Sequence, residues 1–278
     1  MNIDKLSGIA SILGLFFTIG GYFTVNNPIH IWLLSLTAII FIFLCCYSFK
    51  RYNIALRYLN GEADIRNLHN KLILEYPNIK TKSLDAIILC LSNYCTQIAE
   101  AYEKIKNEKI GVCIKYTNGE ISNPYVKTLC RDIHSLNSRQ EVDESERVDY
   151  MLQNTDFAHI LQLVSENKKY KDLFYCGNRL ANKHQYANTH LMDIELPSGL
   201  FSYYQRRNLW PLPYKSSIVV PFLSADGRNI DAFLCIDCPL SNGFNIDRDV
   251  VILQQIALFM RELICFICTT HLINRQNG

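Results

Sequence analysis

No Asp, Glu, Lys or Arg occurs between Leu6 and Val25, and none between Ile29 and Phe49. Each stretch has about 20 residues, enough for a helix to cross a hydrocarbon core of roughly 30 Å. Such a run folds as a helix in lipid, where the backbone must satisfy its own hydrogen bonds. The sequence therefore predicts a transmembrane hairpin over residues 1–50, with spans at 6–25 and 29–49 and a polar turn at Asn26-Asn27-Pro28. Lys and Arg are missing from that turn too. They flank the hairpin instead, as Lys5 before it and Lys50, Arg51 and Arg57 after it. By the positive-inside bias, both termini are expected in the cytoplasm and the chain in the cell inner membrane, multi-pass. A cleaved signal peptide fits poorly, because the first run exceeds a usual apolar region and its leader is barely basic. A buried helical hairpin of a globular protein is the alternative.

Asp, Glu, Lys and Arg are absent from both spans and the one histidine, His30, stands at the edge of the turn, so no proton relay or fixed ion site is expected there. Gly8, Gly14, Gly20 and Gly21 lie in the first span, with Ala10 and Gly14 spaced for close helix packing. Such small residues suit either self-association of several hairpins or packing of the two spans together. Strong net charge is absent as well. At +2, the chain is not expected to bind DNA or RNA through bulk electrostatics. No His-Glu-x-x-His, P-loop or Gly-x-Ser-x-Gly motif occurs, so no catalytic residue is assigned and an enzyme is not expected. No cofactor is implied.

Cysteine, by contrast, is plentiful, with eleven residues. On the reducing cytoplasmic side these read as free thiols, several of them small core residues. Cys235/Cys238 and Cys265/Cys268 have metal-ligand spacing. The first pair falls on an expected strand, where residues three apart face opposite ways, and the second on an expected helix. No metal site is therefore expected.

Residues 51–82 read as a polar helical connector, with a ragged stripe of Leu56, Leu59, Ala63, Leu68 and Leu72, ended by Pro77. Ser83 to Asn107 has apolar residues at steps of three and four, with Ser83 as cap. Strands are expected at 110–116 and 126–133, followed by a long polar loop over 134–146. Tyr150 to Val164 reads as a helix and 166–210 as irregular. Two more strands, 217–224 and 230–238, flank an Asp226-Gly227 turn. Asp247 is expected to cap a last apolar helix. Strands joined by short turns imply an α+β domain, an antiparallel sheet with helices on one face.

The stretch Lys215 to Ile264 resembles the C-terminal half of a GAF domain. The matching residues are Ser217-Ile-Val-Val-Pro-Phe222, then Ala232-Phe-Leu-Cys-Ile-Asp-Cys-Pro239, then Gly243-Phe244-Asn245 before the last helix. The resemblance is extended over residues 83–272. It implies a central sheet of about six strands, with helices packed on one face, a small-ligand pocket over the other, and dimerisation through terminal helices. Asn167-Lys168-Lys169-Tyr170 only partly echoes the motif of cyclic-nucleotide-binding members, so the resemblance speaks for the fold more than for the ligand. A few such domains are thiol reductases of methionine sulfoxide, but no cysteine cluster stands out in the expected pocket loops.

Candidate ligand-binding residues follow from chemistry. Arg131 and Asp132 lead into Ser138 and Arg139, where two guanidiniums beside hydroxyls suit a phosphate or carboxylate. Asn154 and Thr155 offer short donors and acceptors, as base-edge contacts or as a plain helix cap. Asn178, Arg179, Tyr186 and Asn188 fall in the irregular region, and Tyr214 and Ser216 enter a pocket strand. Loops are where binding residues concentrate. Two functions are compatible with this layout. In the first, the domain binds a small ligand, a nucleotide among the candidates, and controls homo-oligomerisation of the hairpin in the lipid bilayer. That layout resembles two-span effectors of bacterial antiphage defence. The second is a membrane-tethered regulatory module that binds another protein, with Ile256, Phe259, Met260, Leu263, Phe266 and Ile267 of the last helix as its surface.

Overall fold

The computed structural model describes residues 14, 21, 28–79, 81–119, 123–143, 149–183, 185–191 and 202–272. The first expected span, Gly14 and Gly21 aside, and the turn residues Asn26 and Asn27 lie outside the described residues, as does the side chain of Ser138. The chain divides into two compact units, Met1–Leu59 and Asn60–Gly278.

Helix α1 (Pro28–Ile79) contains the boundary between the units. In the first unit many of its apolar side chains are exposed, with Trp32 at 77% and Phe43 at 69%. The Arg51 guanidinium lies 5.6 Å from the centroid of the Tyr47 ring, one turn back. Among the described residues, two helical segments are long and apolar enough to cross a membrane: Ser35–Ile79, whose apolar stretch is not buried, and Ile246–Thr270, whose apolar stretch is more than half buried. Helix α1 runs through Pro77 and ends two residues later. A proline in the last turn stops propagation rather than breaking the helix at its own position.

The second unit is built around a six-stranded antiparallel sheet: β1 (Gly111–Asn118), β2 (Tyr125–Arg131), β3 (Asp149–Tyr150), β4 (Tyr175–Gly177), β5 (Ser216–Leu223) and β6 (Ile230–Cys238). The spatial order is β3-β2-β1-β6-β5-β4. Helices α2 (Leu84–Lys106) and α6 (Val251–Ile267) cover one face, and a short helix, α5 (Ser202–Leu209), precedes β5. The period of two in the strands decides which side chains meet them. Val112, Ile114, Ile218, Val220, Leu234 and Ile236 are all fully buried and lie on the helix side. Ile87, Leu91, Ile98 and Tyr102 of α2, which packs on β1 and β2, and Leu253 and Ile264 of α6, which packs on β5 and β6, are buried as well. Most of the last helix's apolar stripe is therefore core. Ile256, Met260, Leu263 and Ile267 are at most 3% exposed, whereas Phe259 is 43% exposed.

Residues 60–79 of α1 belong to this unit and are tied to it. Leu68 and Leu72 are buried, the His69 ring stacks on Phe259 at 3.6 Å, and Lys104 of α2 pairs with Asp64 at 2.7 Å. At Gly61 α1 approaches α2 closely, since a Cβ there would collide with Ile105. The Ser83 hydroxyl caps α2, accepting from the Ala86 N–H at 3.4 Å. The last helix starts differently from the sequence expectation. Asn245, not Asp247, is the cap, accepting from the Arg248 N–H at 3.1 Å. Asp249 just beyond forms a buried ion pair with Lys106.

The stretch expected to be a long polar loop contains helix α3 (Ile133–Asp143). It lacks an apolar stripe, so helical periodicity is silent. What starts it is Asp132, fully buried, whose carboxylate accepts from the Ser135 N–H at 2.8 Å and from the Ser135 hydroxyl. The second sheet face is covered as well, by helix α4 (Thr155–Ser165) and the turns around it. Phe157 of α4 lies 4.8 Å from Phe233 of β6. Helices thus touch both faces, the two long ones on one side and a short one on the other.

Candidate functional site

Between the sheet's second face and α4 lies a cavity of about 50 Å³. Strand alternation sends Cys113 and Lys115 of β1, Arg131 of β2, and Cys235 and Asp237 of β6 toward it. Helix α3 adds Arg139, β3 adds Asp149, and the start of α4 adds Asn154 and Asp156. Asn188, His190 and Tyr214 complete the polar wall. Three cationic side chains and three carboxylates therefore share one small cavity.

Two of the three carboxylates, Asp149 and Asp237, are held in ion pairs. The Lys115 ammonium donates to Asp149 at 2.8 Å, and His190 Nε2 lies 3.4 Å from the other Asp149 oxygen. Burial alone would raise Asp149, but His190 and Lys115 outweigh it and hold its carboxyl well below the ordinary range. Burial likewise works against the Lys115 charge, and Asp149 and the Cys113 sulfur overcome it, so its pKa is raised. Arg139 donates to Asp237 at 3.3 Å and lies 5.0 Å from the Tyr214 ring centroid. Burial pushes the Asp237 carboxyl up, opposed by Arg139 and Arg131. Asp156 is pushed up to about 6 by burial. The Tyr214 pKa is raised well above its ordinary value, first by burial, so its hydroxyl remains a donor. Cys113 is lowered to about 7 by the hydrogen bond to the Cys235 thiol, with Arg131 and Lys115 adding to it against burial.

Neutral polar groups brace this wall. The Asn154 side chain donates to the Tyr150 carbonyl at 2.8 Å and to the Thr189 hydroxyl at 2.7 Å, and accepts from the Thr189 N–H at 3.0 Å. Asn188 donates to the Tyr214 hydroxyl at 3.4 Å and accepts from the His190 N–H at 3.0 Å.

Of the residues singled out from sequence, Arg131, Arg139, Asn154, Asn188 and Tyr214 meet at this cavity. The others stand elsewhere. Asp132 caps α3 and accepts from the Val112 N–H at 2.8 Å. The Thr155 hydroxyl accepts from the Ala187 N–H at 2.8 Å, pinning the neighbouring turn. Asn178 exchanges hydrogen bonds with the Phe244 backbone, at 2.8 and 3.2 Å. Arg179 donates to Asn242 at 2.9 Å. Tyr186 is buried in the apolar cluster, 6.0 Å from the Trp210 ring. Ser216 lies on the helix side of β5 and donates to the Leu240 carbonyl at 2.8 Å.

Sequence reading did not single out Lys115, Asp149, Asp156, His190 or the thiols as site residues. Lys115 carried a signal, being a charge within an otherwise apolar strand. The thiols carried none, because Cys113 and Cys235 meet across β1 and β6 rather than in a loop. Cys238, three residues on, faces the helix layer, as the alternation requires. Among the described residues, no cluster of three or more His, Cys, Asp or Glu side chains has metal-binding geometry.

No family model matches the sequence, and no curated protein matches it. Several solved structures are similar to it. A structure described as the GAF domain is 16% identical, with a TM-score of 0.45 over 73% of this chain and 89% of that one. The fRMsr of Staphylococcus aureus, in complex with substrate, is 13% identical, with a TM-score of 0.40 over 74% and 95%. The GAF domain of an Acinetobacter phosphoenolpyruvate-protein phosphotransferase is 9% identical, with a TM-score of 0.42 over 75% and 94%.

Proposed function

We propose that this chain is a membrane-anchored sensor whose GAF-like domain binds a small anionic ligand in the cavity between the sheet and α4. The observation that carries this reading is the convergence of Arg131, Arg139 and Lys115, with Asn188 and Tyr214, on one small cavity. Guanidiniums and a phenol hydroxyl recognise carboxylate or phosphate oxygens. The raised carboxyls Asp156 and Asp237 favour an anion further, because each can take up a proton as negative charge arrives. Drug-sized ligands occupy pockets of about 300–1,000 Å³. A cavity of about 50 Å³ suits a small anion as it stands, and a nucleotide requires it to open.

In this reading, the apolar N-terminal region anchors the chain in the inner membrane with both termini cytoplasmic. Ligand binding then biases self-association of the membrane helices through its differential affinity for the assembled state. A role in antiphage defence rests on the layout alone, and ligand-dependent toxicity in cells tests it.

The direct test is thermal melting of the detergent-solubilised full chain against phosphate, small carboxylates and nucleotides, at pH 6 and pH 8. A ligand at about 100 times its Kd adds roughly 2.7 kcal/mol, a shift of several degrees in a domain of this size. The shift should be larger at pH 6 and lost in Arg131→Gln. A folded protein with no shift across the panel favours the second reading, a protein-binding module. Leu74 at 77%, Leu89 at 63% and Ile73 at 56% exposure support that alternative with apolar surface.

A further inference from the structure

The cavity wall contains a thiol pair that ligand binding does not use. Cys113 and Cys235 are direct partners in the β1–β6 ladder and point to the same face. Directly opposed residues of antiparallel strands have Cα atoms about 4.5 or 5.5 Å apart, and both distances fall within the disulfide range of about 4.4–6.8 Å. The two side chains are 3% and 6% exposed, and both line the cavity. Arg131 is the partner of Cys113 on the opposite strand, and Lys115 is the next residue along the same face. Such a setting favours thiolate, the reactive form.

We propose that Cys113 and Cys235 form a peroxide-responsive dithiol switch, oxidised to a cross-strand disulfide by hydrogen peroxide entering the cavity. The Cys113 thiolate attacks one peroxide oxygen, and the O–O bond breaks. Hydroxide leaves and becomes water with the proton that Cys113 released. Cys113 is now a sulfenic acid. The Cys235 sulfur attacks the Cys113 sulfur, the S–S bond forms, and the hydroxyl leaves as a second water with the Cys235 proton. Two thiols and one peroxide become a disulfide and two waters, with two electrons passing from sulfur to oxygen. Size sets the oxidant. A cavity of about 50 Å³ holds a water-sized molecule, which admits hydrogen peroxide and excludes glutathione disulfide.

The fold supplies an internal control. Cys95 of α2 and Cys130 of β2 also lie close, with sulfurs 3.9 Å apart, but on the helix side, away from the cavity. The hydrogen bond to Cys130 and burial both raise the Cys95 thiol.

The experiment treats the folded, detergent-solubilised full chain with hydrogen peroxide at pH 7 and maps its peptides without reduction. The expected product is a linked Cys113–Cys235 peptide lighter by two hydrogens, forming on the order of tenfold or more faster than any Cys95–Cys130 link, given the thiolate fractions. Cys235→Ser should stop at a Cys113 sulfenic acid that dimedone captures. Cys113→Ser should show neither product. Three results each overturn the proposal: Cys113 and Cys235 stay reduced while other thiols oxidise, Cys95–Cys130 links equally fast, or glutathione disulfide acts as quickly as peroxide. Wild-type mapping needs no variant to fold, and ligand-induced melting shifts are read separately, so the switch and the sensor reading fail independently.

Discussion

The guanidinium of Arg139 lies 5.0 Å from the centre of the Tyr214 ring while one of its nitrogens donates to Asp237 at 3.3 Å. Helix α3 thereby closes one side of the cavity against β6 and the residue that leads into β5. The contact combines a cation–π interaction with a largely buried ion pair, the side chains being 12% and 17% exposed. Removing Arg139 leaves the Asp237 carboxylate without its partner. Arg139→Ala should therefore destabilise the folded chain by about 2–4 kcal/mol. Adding Asp237→Asn should restore part of it, with a coupling energy of about 1–3 kcal/mol in a double-mutant cycle followed by urea unfolding. Simple additivity of the two changes would show that the pair does not act as a unit.

Asp149 makes an acid-sensitive contribution. Its folded-state pKa is depressed by His190 and Lys115 against burial. The stability it adds is thus present above the ordinary carboxylate range near pH 4 and is lost as pH falls through the folded value. Asp149→Asn should be destabilised by about 2–4 kcal/mol at pH 7, because it leaves Lys115 buried without its anion. The gap to wild type should narrow steadily below pH 4. A gap that is constant with pH contradicts the assignment.

Asp156 runs the other way. Its pKa is raised to about 6 from 3.8 by burial, so the folded state binds the proton more tightly than the unfolded chain. Stability should rise as pH falls from about 6 toward 4, and the penalty is complete above pH 6. Asp156→Asn keeps the oxygen that accepts from the Phe157 N–H at 3.0 Å. It should stabilise the protein at pH 7 by on the order of 2–3 kcal/mol. Comparing the slopes of melting temperature against pH for wild type and variant decides this.

Gly61 tests the seating of α1 on α2 within the second unit. An added methyl group meets the Ile105 side chain and the Ala101 carbonyl. Gly61→Ala should lower stability by about 1–2 kcal/mol, the steric cost exceeding the gain in helix propensity of about 1 kcal/mol. Ile105→Val in the same chain should recover part of the loss. Melting temperatures of the two variants settle the point.

Much of the sheet was legible because apolar periodicity reports burial directly. The strands around Val112 and Ile114, Ile218 and Val220, and Leu234 and Ile236 were expected, as was α2 with its Ser83 cap. Helix α3 was not legible, because its polar sequence has no stripe. It is held by the Asp132 cap and by the Ile133 N–H donating to the Thr96 hydroxyl of α2 at 3.0 Å. The same limit applies to the site. Arg131, Arg139, Asn154, Asn188 and Tyr214 stood out by residue type, and so did Asn178 and Ser216. Only their register and partners separate the cavity wall from backbone clamps.

The sequence alone determined what local chemistry determines: an N-terminal region apolar enough to cross a bilayer, an α+β domain behind it, and the alternation that turns Cys235 and Cys238 to opposite faces. Those properties depend on runs and periods of a few residues. Tertiary structure decided which distant residues share a space. Lys115 meets Asp149 at 2.8 Å, and Cys113 meets Cys235, only because the strand order β3-β2-β1-β6 brings their chain segments side by side. Pairing of strands far apart in sequence is a global property of packing, since it is set by how the whole apolar surface is buried rather than by any one segment's pattern.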